Sequence, residues 1–414
     1  MSKRGKLYSR RTFLSKSLTG LASLGLAGKF AKNLRALGEE GSVPESTGGV
    51  ITRALGKTGQ RLPVVSMGVM NADNPDLVRR AYELGIRHFD TAATYMRGRN
   101  EHMVGKVIKE LKARDQVLIA TKIPPLSPDE LAKMATEEVK AFCLDNVDKS
   151  LNRLQTDYVD MVYWHDVQDV GYLQNAGVRS ALETIKSQKK ARWIGFSTHT
   201  NMAALLEEAR RSGFGDTVLT AYNYSMTENA ELLKTMEKAA ASGIVLIAMK
   251  TQCQQTWYLD DFEPRARKFY EGQIRHTALL KWVLRHDVFA TAVPGFQNFQ
   301  ELEADFSVAY DLNFTPEEKK FLEDRNVKVA MRGVCQQCYG CVASCPERVE
   351  VPKLMRAHMY AVSYANIAHA RATLAEIPRE QGLTRCLSCA DCTAKCVNSV
   401  NIAARIKELK SILA

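Results

Sequence analysis

The chain has 414 residues, 45% of them hydrophobic and 25% charged, a globular composition too long for one average domain. Its net charge is +11, but nine cations between Lys3 and Arg35 precede the first acid, Glu39, which leaves about +2 for everything after them. No RNA- or DNA-binding module motif accompanies the charge, and nucleic acid is excluded as a partner.

The basic N-terminus is read first. Arg10 and Arg11 lie in "SRRTFL", Lys16 follows, and a modest apolar stretch runs from Leu18 to Ala27. That stretch is too short and too rich in Gly and Ser for a membrane span. The segment resembles a twin-arginine export signal, with a plain basic tail as its alternative. The resemblance implies handling by the Tat export machinery and a periplasmic location or the outer face of the cytoplasmic membrane. "GEEGSVPESTGG" then reads as a linker, so residues 1–49 form signal plus linker.

From Val50 short apolar runs alternate with amphipathic stretches. Eight candidate strands follow: Val64–Gly68, Ile86–Ala92, Val117–Lys122, Tyr158–His165, Ala191–Ser197, Thr217–Asn223, Gly243–Lys250 and Phe289–Gly295. Near-continuous apolar strands separated by helices predict a parallel sheet covered by helices. The fold class is α/β, with a (β/α)8 TIM barrel over residues 50–315. An open doubly wound sheet is the alternative, but it needs a Gly-rich phosphate turn that "VVSMGVMNADN" does not supply.

Barrel chemistry sits where the strands end. Asp90, Lys122 and His165 fall at ends of the second, third and fourth strands, and Tyr95 follows the second. Each has an ordinary structural reading: cap, surface charge, loop packing, core imidazole. Together they form an acid–base set. A carbonyl receiving a hydride needs a proton at oxygen. Tyr95 is the proton donor or, in reverse, the acceptor. Lys122 is expected to lower its pKa, Asp90 to hold Lys122, and His165 to orient the substrate oxygen.

"GIRHFDTAATYMRGRNEHMVGKVI" resembles the signature of the aldo-keto reductases. "RALGKTGQRLPVVSMG", "ATK", "IGFSTHTN" and "VPGFQNFQELEADF" match further blocks in order, over roughly Ile51–Thr315. The resemblance implies a (β/α)8 barrel, a nicotinamide cofactor and a catalytic tetrad of Asp90, Tyr95, Lys122 and His165. By position it also implies cofactor binding at Ser197, Asn223, Lys250, Gly295 and Gln297. The family's Ser-Asn pair reads Ser197-Thr198 here, its sixth-strand Gln reads Leu219, and its ring-stacking aromatic reads Met249. Gly295 and Glu301 stand where NADPH users grip the 2′-phosphate, and Glu301 would repel it. NAD(P)H is therefore a candidate carrier without an NADPH-specific grip, and NADH or a different hydride or electron carrier stays open.

The last domain, residues 316–414, carries eight of the ten cysteines in two sets. Cys335, Cys338, Cys341 and Cys345 have the spacing C-x2-C-x2-C-x3-C followed by Pro346, and Cys386, Cys389, Cys392 and Cys396 repeat it. This is the pattern of [4Fe-4S] proteins, in which the fourth cysteine reaches the other cluster. The two [4Fe-4S] clusters would take Cys335, Cys338, Cys341 with Cys396, and Cys386, Cys389, Cys392 with Cys345. Zinc sites and, in an exported protein, disulfides are the alternatives. Cys143 and Cys253 read as buried or idle thiols. Apolar residues at helical spacing, among them Leu354, Met355, Met359, Val362 and Ile367, fill the gap between the sets. The segment resembles the mostly helical dicluster domains fused to a branch of the aldo-keto reductases. His358 and His369 are not needed as ligands there.

The expected function is an exported iron-sulfur oxidoreductase interconverting a small-molecule carbonyl and an alcohol, with an electron-transfer partner implied by the clusters. The alternative is an electron-transfer or binding protein on a catalytically retired barrel.

Overall fold

The computed structural model describes residues 49–252 and 274–413, apart from 388 and 390. The twin-arginine segment, nearly all of its linker, Cys253 and most of the loop that follows it lie outside the described residues.

A short hairpin that the sequence pattern does not signal precedes the barrel. Thr52–Ala54 (β1) and Arg61–Pro63 (β2) pair antiparallel. Three-residue strands give almost no alternation to detect. Leu62 of β2 and Leu55, just after β1, pack with Leu118, Ala120, Met161, Tyr163 and Ile247 from barrel strands, so the hairpin is tied to the barrel core.

All eight expected strands form, several of them shorter than their apolar runs. They are Met67–Gly68 (β3), His88–Asp90 (β4), Leu118–Ile123 (β5), Val159–Trp164 (β6), Ala191–Thr198 (β7), Thr217–Ala221 (β8), Val245–Met249 (β9) and Phe289–Ala292 (β10). Each pairs in parallel with its sequence neighbour, from β3 through to β10. Single bridges Val65–Ala292 and Gly68–Gly295 bring the two ends together, giving a nearly closed barrel. Helices such as Pro75–Leu84, Arg99–Glu110 and Thr136–Leu154 connect successive strands. Asn74 caps the first of them by accepting from the Asp76 amide at 2.9 Å, and Pro75 occupies its first turn, where no amide is needed.

Two close approaches require glycine. A Cβ on Gly68 would lie 2.8 Å from the Val293 carbonyl oxygen at the barrel seam. A Cβ on Gly195 would lie 1.7 Å from the Thr217 carbonyl oxygen, across the β7–β8 pairing.

After the barrel the chain is helical: Pro316–Glu323, Arg325–Arg332, Val351–His358, a π-turn over Met359–Ser363, Ile367–Ala375 and Ile402–Leu413. Leu354, Met355, Tyr360, Ile406 and Leu409 form its own core, against which Cys335, Cys345, Cys396 and the barrel residue Met70 pack. Among the described residues, no helix is long and apolar enough to cross a membrane.

Gly195→Ala forces β7 and β8 apart and is expected to destabilise the chain by about 3 kcal/mol. Thermal or denaturant unfolding followed by circular dichroism checks this, and an unchanged midpoint would contradict the strand contact.

Candidate active site and thiolate clusters

The barrel brings the four expected strand-end residues to one pocket. Asp90, Tyr95, Lys122 and His165 all line it. Lys122 lies in β5, and its Nζ donates to Asp90 Oδ1 and to the Thr91 carbonyl, both at 2.6 Å. The same ammonium sits 4.9 Å from the centre of the Tyr95 ring. His165 meets that ring edge-on, with centroids 6.0 Å apart. The Thr94 hydroxyl lies 3.5 Å from His165 Nδ1.

One expectation is reversed. Tyr95 is pushed well above the usual phenol range, by burial first and then by the negative charges of Asp90, Asp166 and Glu376. Lys122, whose ammonium is hydrogen-bonded to Asp90, does not outweigh them. Burial likewise drives the Asp90 carboxyl up and the Lys122 ammonium down, each opposed by the other. Burial, with Lys122 next, lowers His165 to about 3, so the imidazole is neutral at ordinary pH. The pocket therefore presents a protonated phenol and a neutral imidazole.

The helical segment supplies the other wall. Tyr360, Tyr364 and His369 line the same pocket. His369 stands edge-on to Tyr95 at 5.9 Å and to Tyr360 at 4.2 Å. Burial first, then Lys250 and Arg356, lower His369 to about 3. Asn366 fixes its place twice over. Its Oδ1 accepts from the His369 amide at 2.9 Å, and its Nδ2 donates to Asn71 Oδ1 of the barrel, also at 2.9 Å. The sequence reading weighed His369 only as a metal ligand. The available signal was the aromatic spacing of Tyr360, Tyr364 and His369, but nothing local shows that this stretch faces the barrel.

A buried ion pair anchors the segment. Arg356 donates to both oxygens of Asp166, at 2.8 and 2.6 Å. Asp166 follows His165 directly, so the anchor sits one residue from the tetrad. Burial would raise the Asp166 carboxyl, but Arg356 overrides it and holds it well below the usual range.

The five candidate cofactor residues are not brought together as one grip. Ser197, Lys250 and Gly295 line the pocket, Asn223 lines a neighbouring cavity, and Gln297 is exposed at the rim. Their polar groups are largely spent. Ser197 Oγ accepts from the Asp166 amide at 3.0 Å. Asn223 Oδ1 accepts from the Ser225 amide and hydroxyl at 3.1 and 2.7 Å. The Lys250 ammonium lies over the rings of Tyr360 and Tyr364, at 4.7 and 5.2 Å. Gln297 Nε2 donates to the Tyr364 carbonyl at 3.4 Å. Glu301 accepts from the Gln297 amide and from Asn298 Nδ2, placing a carboxylate at the start of the helix after β10, where a phosphate would have to bind. These residues do not fit a nicotinamide dinucleotide.

The thiols do fit a cluster. Cys335 feels Cys396 and Cys338, and Cys341 feels Cys335, Cys396 and Cys338. Cys386 feels Cys345, Cys389 and Cys392, and all four line one pocket. The structure thus groups three thiols of each run with the last thiol of the other. Gln337 Nε2 donates to Cys335 Sγ at 3.2 Å and the Asn398 amide to Cys396 Sγ at 3.3 Å. All eight thiols are free of disulfides. Burial pushes the Cys335, Cys341 and Cys386 thiols up to about 11, 12 and 11, so a metal must displace their protons. Cys143 is buried in helix Thr136–Leu154.

Comparison with known proteins agrees with both halves. Residues 66–272, half of the chain, match the model of the aldo/keto reductase family, and residues 334–401 match that of the 4Fe-4S dicluster domain. An L-galactose dehydrogenase from Arabidopsis thaliana is 30% identical over 210 residues, 47% of this chain and 63% of that protein. An L-glyceraldehyde 3-phosphate reductase from Escherichia coli (strain K12) is 31% identical over 183 residues, 40% of this chain and 51% of that protein. The alignments thus span between half and two thirds of these relatives. An aldo-keto reductase from Bacillus halodurans in its holo form shares the fold, with a TM-score of 0.53 and 20% identity over 68% of this chain and all of that one.

Removing one partner of the buried Asp166–Arg356 pair leaves an uncompensated charge. Arg356→Met is expected to cost about 3–5 kcal/mol, and adding Asp166→Leu to recover part of it. Denaturant unfolding of the parent and the two variants checks this. Equal stability of Arg356→Met and the parent would contradict the anchor.

Proposed function

The chain belongs to the aldo/keto reductase family, and from that premise we propose that it is an iron-sulfur oxidoreductase interconverting a small-molecule carbonyl and an alcohol, with Tyr95 as proton donor and acceptor. The observation that carries this reading is the pocket itself. Among the described residues, the Tyr95 hydroxyl, His165 Nε2 and the His369 ring nitrogens have no hydrogen-bond partner, although all three side chains line the pocket. Unspent donors and acceptors around a neutral ion pair suit a substrate oxygen.

Reduction of a carbonyl consumes two electrons and two protons, one proton ending on carbon and one on oxygen; with no dinucleotide in place, the two electrons would come singly from the electron-transfer partner that the clusters imply. Tyr95 gives its hydroxyl proton to that oxygen, and His165 donates a hydrogen bond that holds it. Lys122, fixed by Asp90, sits under the phenol ring and stabilises the phenolate that forms, since its ammonium is 4.9 Å from the ring centre. In the reverse direction the phenolate takes the alcohol proton. A retired barrel would leave these polar atoms idle at the pocket, which is why the catalytic reading is preferred.

Two [4Fe-4S] clusters supply one-electron redox chemistry when bound. Cys335, Cys338, Cys341 and Cys396 would hold one, and Cys345, Cys386, Cys389 and Cys392 the other. The twin-arginine segment at Arg10 and Arg11 supports export to the periplasm or the outer face of the membrane, since that route carries folded, cofactor-loaded proteins. The substrate class is a small carbonyl or alcohol, in line with the sugar-derived substrates in the two relatives' names. The clusters imply an electron-transfer partner.

Tyr95→Phe is expected to lower turnover by about 10²–10⁴-fold with iron content unchanged. Turnover within threefold of the parent would remove Tyr95 from the mechanism. Because the Tyr95 pKa is raised, its donor form persists from neutral into alkaline pH. The Tyr95-dependent rate of carbonyl reduction should stay level between about pH 6 and 9, while alcohol oxidation should rise with pH. A reductive pH–rate profile that falls across that range in the parent alone would contradict the assignment.

Anaerobically purified protein should contain about eight iron atoms per chain, and the Cys335→Ala/Cys338→Ala double variant about four. Iron and sulfide analysis with EPR reads both. Cys345→Ala should alter the same EPR signal as Cys386→Ala. Alteration of the Cys335-dependent signal instead would contradict the crossed pairing.

A further inference from the structure

We propose that the helical C-terminal segment occupies the place of an exchangeable nicotinamide dinucleotide, and that the Cys335, Cys338, Cys341 and Cys396 set is the redox neighbour of the barrel pocket. The proposal rests on the cluster reading above and on three features of the pocket mouth.

The first is the cover over the mouth. Tyr360 and Tyr364 lie on Lys250 at the end of β9, and the Tyr364 carbonyl takes the side chain of Gln297 beyond β10. Asn366 bonds Asn71 after β3. Arg356 holds Asp166 after β6. The segment therefore grips loops from most of the way around the mouth. A dinucleotide reaching the tetrad along Ser197, Lys250 and Gly295 would have to displace the two tyrosines.

The second is charge. A dinucleotide carries a pyrophosphate, and the helix start beyond β10 is already capped by Asn298 and neutralised by Glu301. Lys250 lines the pocket, but burial lowers its ammonium to about 7 and it lies over two aromatic rings.

The third is the asymmetry of the two thiolate sets. Cys335 and Gln337 share a cavity with His199, Asn223 and Lys250 of the barrel, together with Arg356 and Arg405. Gln336 Nε2 donates to the Ser225 carbonyl of the barrel at 2.7 Å, and the Tyr339 hydroxyl donates to Gln168 Oε1 at 3.3 Å and to Glu350 at 2.7 Å. The pocket around Cys345, Cys386, Cys389 and Cys392 is lined entirely by residues from 345 to 410, with none from the barrel. One set shares a cavity with barrel residues and the other is enclosed by the C-terminal segment alone. The cofactor candidates Asn223 and Lys250 thus face a cluster thiol where a dinucleotide reading would have them face a ribose or nicotinamide.

The test uses the full chain with its clusters loaded. Isothermal titration with NADH and with NADPH should show no saturable binding up to millimolar concentration, and saturation in the micromolar range would overturn the proposal. In parallel, redox-poised EPR is recorded for the parent and for Lys250→Met, a change of similar side-chain length. The signal that Cys335→Ala removes should shift in midpoint potential or line shape, while the signal that Cys386→Ala removes should not. A shift confined to the Cys386-dependent signal, or no shift in either, would overturn the proximal assignment. A colourless protein would overturn the cluster reading beneath it. None of these outcomes depends on Tyr95→Phe, so failure here is distinguishable from failure of the carbonyl–alcohol chemistry.

Discussion

The paired hydrogen bonds between Arg356 and Asp166 set the relation between the two halves of this molecule. Neither side chain is tolerable alone where it sits, since a buried unpaired charge costs several kcal/mol. Asp166 follows His165 at the end of β6, while Arg356 lies in helix Val351–His358, one turn before Tyr360. Satisfying that one electrostatic demand therefore fixes the helical segment over the tetrad. Everything else at the mouth follows in register: the tyrosines over Lys250, Asn366 on Asn71, and His369 at the edge of Tyr95.

The arrangement changes what the barrel pocket is. Its floor comes from strand ends, as in any such barrel. Its roof comes from a π-turn and the helix after it, an irregular backbone feature often found at functional sites. Burial on all sides leaves both imidazoles neutral and the phenol protonated. The same burial raises the thiols that lie behind the roof, so that metal binding and deprotonation must go together. Pocket and thiolate sets are thus neighbours through shared residues, with Lys250 and Arg356 between them.

Much of this was legible in the sequence. Apolar runs such as Val117–Lys122 and Tyr158–His165 locate barrel strands, and strand ends carry chemistry, so Asp90, Tyr95, Lys122 and His165 could be found together. Cysteine spacing is rigid information, and it gave two sets of four. Three things were not legible. The β1–β2 hairpin is too short for its alternation to register. The net direction of the Tyr95 shift was not legible, because the nearness of Lys122 follows from strand ends, but burial of the phenol and the 2.6 Å pairing of Lys122 with Asp90 do not. The roof residues were invisible because the apolar pattern of 354–367 reports only that segment's own core. Docking onto the barrel depends on contacts between positions nearly two hundred residues apart, such as Arg356 and Asp166.

The central claim is that the catalytic pocket belongs to both halves of the chain. The measurement that tests it most directly is the turnover of Arg356→Met purified with its full iron complement, assayed for carbonyl–alcohol interconversion beside the parent. If the docked segment completes the pocket, turnover falls by about 10²-fold while iron content is retained, as expected when a site loses its alignment. Parental turnover from that variant, with its clusters intact, would show that the barrel works alone and would contradict the account.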